Sequence, residues 1–150
     1  MQHLVTAEIS VDQALRAAAD PSAGAVVMFS GTVRNHNEGR TVQSIAYTAY
    51  APLAEKVLAD IEREVYAKFD IIKCVVVHRV GQLEIGDSSV LIVVSSVHRP
   101  EAFAGGRYAI EEVKHRVPVW KLEEYTDGTH SYVKGCSLNE RHHVEAGDVA

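Results

Sequence analysis

Hydrophobic positions along the chain change their period several times, and each change marks an element. Val11 to Ala19 is alanine-rich, has Ser10 or Asp12 placed to cap its start, and runs into Asp20-Pro21. That pattern predicts a short N-terminal helix. Gly24 to Val33 is a nearly continuous apolar run with a glycine toward each flank, as in a buried strand. A polar loop, Arg34 to Arg40, follows and ends in a turn-forming pair. From Thr41 to Tyr50 the residues alternate. Val42, Ser44, Ala46 and Thr48 share one side, Gln43, Ile45, Tyr47 and Ala49 the other, giving a strand with a mixed inner face.

Between Pro52 and Phe69 the period becomes helical, with Leu53, Val57, Leu58, Ile61 and Val65 at helical spacing and Pro52 suited to the first turn. Two β-branched runs, Ile71 to Val80 and Ser88 to Val97, are joined by Gly81 to Asp87, which reads as a long hairpin connection. Pro100 to His115 is a second long helix, limited by Pro118. Val119 to Tyr125 and Tyr132 to Val133 form a last strand pair around Thr126-Asp127-Gly128. Residues 135–150 show little periodicity and are expected to be a frayed tail. The order α-β-β-α-β-β-α-β-β predicts an α+β fold: a largely antiparallel sheet with two long helices and a short N-terminal helix. A doubly wound parallel sheet needs one helix after each strand and is excluded.

Composition narrows the class. The 150 residues make one domain, 47% apolar and 23% charged, which excludes disorder as the main state. Net charge is −5, a poor match to a nucleic-acid binder or to an anionic membrane surface. Against that background residues 34–51 sum to +1 and 98–121 to +2, local reversals that suit a small anionic ligand. No apolar run reaches membrane-spanning length, the start lacks a signal-peptide pattern, and the cysteines, Cys74 and Cys136, form no CxxC pair. A cytoplasmic protein is expected.

Three places carry candidate chemistry. At Ser96-Val97-His98-Arg99-Pro100 a strand gives way to a helix whose free N–H groups, with His98 and Arg99, can build an anion site. Lys114 lies in the last helical turn, where the dipole favours a cation in any case. Lys121 sits between Trp120 and Leu122, an odd setting for a solvated lysine. The reversal at Pro118 can bring the two ammonium groups together, and like charge with partial burial makes a lysine a usable base or nucleophile. Arg34, just after Gly31-Thr32-Val33, suits recognition of phosphate or carboxylate. His36, His78, His115 and His130 show no metal-ligand spacing, and no GxSxG, Walker or GxGxxG motif occurs, so no metal or cofactor is expected.

Four segments in order resemble one family. Gly31-Thr32-Val33-Arg34-Asn35-His36-Asn37, His78-Arg79-Val80-Gly81, Ser96-Val97-His98-Arg99 and Lys114-His115-Arg116-Val117-Pro118-Val119-Trp120-Lys121 are similar to the large, catalytic subunit of molybdopterin synthase. The similarity runs from about Gly24 to Val133. It implies an α/β-hammerhead-type fold and insertion of two sulfurs into cyclic pyranopterin monophosphate, producing molybdopterin. It also implies a small ubiquitin-like partner that carries the sulfur as a thiocarboxylate on its C-terminal Gly-Gly tail, and dimerisation of the large subunit. Carried over residue by residue, Arg34, His98 and Arg99 hold the substrate, Lys114 and Lys121 are the catalytic pair, and Glu123 lines the same pocket. Thr32, Val33 and Leu122 complete the expected substrate-binding set, Thr32 standing where many relatives carry lysine. Which lysine is the base and which binds stays open.

Pro100 to Lys114 spans about 21 Å of helix, too far for one pterin monophosphate to touch both ends. Either the helix breaks at Gly105-Gly106, or His98 and Arg99 reach the pocket from a second subunit; two-fold pairing is the simpler expectation. Two other classes remain, a non-catalytic scaffold for a ubiquitin-like tail and a phosphate-ligand-binding module.

Overall fold

The computed structural model describes residues 2–134, so the expected tail and Cys136 lie outside the described residues. Two sheets replace the single one expected. The first holds β1 (Leu4–Val5), β2 (Ala25–Thr32), β5 (Lys73–Arg79) and β7 (Ser88–Ser96), in the order β1-β5-β7-β2. The second joins β3 (His36–Asn37), β4 (Arg40–Ala49), β8 (Val119–Tyr125) and β9 (His130–Lys134) in that order, with β6 (Gly81–Glu84) also paired to β4. Of these pairings only β1 with β5 is parallel. Helices α1 (Val11–Ala18), α2 (Ala51–Lys68) and α3 (Arg99–Arg116) complete an α+β fold.

Strand β7 is buried from Ser89 to Ser96, which explains its unbroken apolar run. Val90, Ile92 and Val94 belong to the larger core with α2 and α3, while Leu91 and Val93 pack with Ala14 and Ala18 of α1. Ser10 caps α1, its Oγ accepting from the Gln13 N–H at 3.2 Å. The core stripe of α2 is Ala54, Leu58, Ile61 and Val65, all fully buried. Leu53, expected inside, is 44% exposed, because it falls a full 100° off that stripe.

Helix α3 presents small buried residues, Ala102, Gly105, Gly106 and Ala109, to β2, β7 and α2. A Cβ on Gly105 would sit 3.1 Å from Val65 Cγ1, so this glycine serves close packing. The helix runs through Gly105-Gly106 without interruption, which rules out the break that would have let its two ends share one ligand. Arg116 clasps Glu64 of α2 through two bonds of 2.7 and 2.8 Å, and Tyr108 donates to the same carboxylate at 2.6 Å. The guanidinium and the phenol hold the Glu64 carboxyl down to about 2.

Two bulges shape the fold, one in each sheet. The pairing of β4 with β8 shifts between Val42 and Ser44, so Val42 and Ile45 both face inward despite their odd spacing. That extra residue is the source of the mixed alternation in the sequence. A second shift, between Gly31 and Thr32, leaves Ser89 of β7 outside the ladder, and its Oγ donates to the Gly31 carbonyl at 3.1 Å. The connection expected at 81–87 contains β6, which leaves the first sheet and joins the second through Tyr47↔Gly81 and Ile45↔Leu83.

Candidate active site

The two sheets, the loop after β2 and the last turn of α3 enclose a cleft of about 270 Å³. Strand β8 contributes Lys121 and Glu123, two apart and therefore on one face. Opposite them in register on β4 are Tyr47 and Ile45, which share the cleft wall. The bulged end of β2 brings Gly31, Thr32, Val33 and Arg34, and α3 brings Lys114 from the far side of the Pro118 reversal. Two positive side chains that are seven apart in sequence thus meet across one small cavity.

Glu123 is 3% exposed and its Oε1 accepts from Asn37 Nδ2 at 2.8 Å and from the Tyr125 hydroxyl at 3.1 Å. Burial pushes the Tyr47 phenol up, opposed by its hydrogen bond to Ser89, while the Glu123 charge raises it further. Against the edge of the Tyr47 ring lies His78, with centroids 5.6 Å apart and planes at 69°. His78 is buried, and its Nδ1–H donates to the Arg79 carbonyl at 2.9 Å, since a carbonyl only accepts. Burial pulls this imidazole down to about 4, and the charges of Lys114 and Lys121 push the same way, so it is neutral at pH 7. Both lysine charges are therefore felt at one point beneath the cleft.

Not every expected residue is here. Thr32, Val33, Arg34, Lys114, Lys121 and Glu123 line the cleft, whereas Leu122 does not, because strand alternation turns it to the other face of β8. His98 and Arg99 stand at the opposite end of α3, both exposed. The His98 side chain makes no capping bond; Ser96 Oγ instead donates to its carbonyl. Tyr47, Ser89 and His36 also line the cleft, with His78 and Asn37 beside it, and none of the five was among the residues expected to bind or react. Tyr47 was legible only as one position on an alternating strand, and His78 only as part of a family-like segment. No group of three or more His, Cys, Asp or Glu side chains among the described residues could hold a metal ion. No helix among them is long and apolar enough to cross a membrane.

With this arrangement the cleft can bind a small anion at Arg34, and it sets two amines beside a buried carboxylate for proton transfer. The family model described as MoaE protein matches residues 4–116. A relative from Staphylococcus epidermidis is 44% identical over 125 residues, covering 83% of each chain, and is named molybdopterin synthase catalytic subunit. The crystal structure of molybdopterin synthase from Staphylococcus aureus superposes with a TM-score of 0.82 at 39% identity, over 87% of this chain and 95% of that one. A complex of subunits 1 and 2 of molybdopterin-converting factor from Helicobacter pylori shares the fold, with a TM-score of 0.71 at 23% identity over 88% and 89%. On these matches the chain belongs to the MoaE family, the catalytic subunits of molybdopterin synthase, an enzyme of molybdenum cofactor biosynthesis.

Proposed function

We propose that the cleft performs sulfur transfer to cyclic pyranopterin monophosphate, with sulfur delivered as a thiocarboxylate on the C-terminal Gly-Gly tail of a small ubiquitin-like subunit. The observation that carries this reading is the convergence of Lys114, Lys121, Glu123 and Arg34 on one cavity. Arg34 takes the phosphate through paired N–H donors. Lys114 and Lys121 move the protons that thiocarboxylate attack requires, and either ammonium can hold the carboxylate left on the spent tail. The Helicobacter pylori structure of the same fold was solved as a complex of two subunits, which is in keeping with a second subunit acting here. The cytoplasm is the compartment we assign, in keeping with the buried, unpaired thiol of Cys74.

His98 and Arg99 enter the site from a second copy of the chain. Among the described residues strand β2 is the open edge of its sheet, carries no charged residue, and exposes Val26, Met28 and Phe29. An uncharged apolar edge eight residues long is one that a protein must cover. Its first residue, Ala25, pairs with Ser96 beside His98, and its last, Thr32, lies at the cleft. Antiparallel pairing of β2 with its own copy exchanges these ends, about 24 Å apart, and sets His98 and Arg99 of one chain beside Arg34 and Lys114 of the other.

The test is reconstitution. The purified chain, a thiocarboxylated small subunit and cyclic pyranopterin monophosphate should yield dithiolene product, and Lys114→Ala should yield almost none. Tight binding of the small subunit without product from the wild-type chain would replace the enzyme reading with that of a scaffold.

A further inference from the structure

Asn37 sits where two chemically opposite groups meet. Its Nδ2 donates to Glu123 Oε1 at 2.8 Å, and its Oδ1 accepts from Arg34 Nη2 at 3.4 Å. A carboxylate only accepts and a guanidinium only donates, so the neighbours dictate which way the amide faces. The hairpin that carries Asn37 is fixed independently. Glu38 and Gly39 turn it with φ of 49° and 77°, and Asn37 pairs with Arg40 across the turn. Arg40 in turn lies 3.6 Å over the Tyr125 ring and donates to Thr129 Oγ1 at 2.5 Å. Tyr125 donates to the same Glu123 oxygen that Asn37 uses. The chain of contacts therefore runs from a buried carboxylate held by two donors to an exposed arginine that lines the cleft.

We propose that Asn37 is a positioning residue whose amide ties the Arg34 guanidinium to the buried Glu123 carboxylate and so presets the arginine for its anionic ligand. The proposal rests on the reading of Arg34 as the contact to the substrate phosphate. The bond to Glu123 is short and charge-assisted and holds the amide in place. The bond to Arg34 spends one of five N–H donors, leaving an edge of two for a phosphate. Alanine at position 37 loses both bonds. Aspartate keeps an acceptor for Arg34 but sets one carboxylate against another.

Two readouts separate the tie from the reading it rests on. Nitrogen relaxation of the Arg34 Nε–H in the protein without substrate reports the order of the guanidinium directly. KM and kcat for cyclic pyranopterin monophosphate report its use. Asn37→Ala and Asn37→Asp should lower Arg34 order and raise KM about tenfold, with the loss falling on KM more than on kcat. Pairing Asn37→Asp with Glu123→Gln returns a donor to the opposite side. Arg34 order and KM should then recover relative to Asn37→Asp, in a cycle that includes Glu123→Gln alone. Unchanged Arg34 order in both single variants, or no recovery in the pair, would overturn the tie. Reduced order with unchanged KM would overturn instead the role of Arg34 toward the phosphate, and with it the function given to the tie.

Discussion

His78 shows how much chemistry a single buried side chain can carry. Its imidazole takes a proton only near pH 4 in the folded chain, against 6.5 when unfolded. As pH falls, the unfolded state takes up that proton first. Stability from this group is whole above pH 6.5 and is lost down to about pH 4, by up to about 3 kcal/mol. Urea unfolding across that range should show this acid limb, and His78→Phe should flatten it; an unchanged slope would mean that His78 titrates normally. The lysines act at the same scale. Lys114→Ala and Lys121→Ala should each lower product formation by about 100-fold or more while leaving the unfolding midpoint nearly unchanged. A variant that keeps full turnover would remove its lysine from the chemistry.

Elements are held by stripes and registers, and these differ in how visible they are before folding. The stripe of α2 predicts that Leu58→Ala costs about 2–5 kcal/mol in urea unfolding, whereas Leu53→Ala costs about 0.5. Equal losses would contradict the assignment of the buried face. Helices and long strands were legible because their signal is local: a period of 3.6 over α2, an unbroken apolar run over β7. Strands β1, β3 and β6, two to four residues each, exist only through distant partners, and no local period announces them. The bulge beside Gln43 likewise scrambled the face of β4. At the site, Lys121 and Arg34 stood out by unusual neighbours in sequence. Tyr47, His78 and Asn37 did not, since what places them is cross-strand register: Tyr47 opposite Lys121, Ile45 opposite Glu123. Leu122, expected beside Lys121 and Glu123, lies off the cleft for the converse reason, since neighbours in sequence lie on opposite faces of a strand.

At the scale of the whole molecule, the proposed assembly turns on the length of α3. An unbroken helix separates Arg99 from Lys114, so a site that uses both needs two chains. The β2 edge is where the copies meet in this account. Met28→Lys should convert a dimer to a monomer in sedimentation, lose most turnover and keep its circular dichroism spectrum; a dimer that persists would move the interface elsewhere. The same geometry makes the central claim testable by mixing inactive chains. Lys114→Ala and Arg99→Ala chains, each inactive alone, are unfolded together in equal amounts, refolded and assayed for dithiolene product with the thiocarboxylated small subunit. Half of the dimers are then mixed, and each mixed dimer holds one intact site, so about a quarter of wild-type activity should return. If the mixture is as inactive as its parts, Lys114 and Arg99 do not meet across a two-fold axis, and the shared site is wrong.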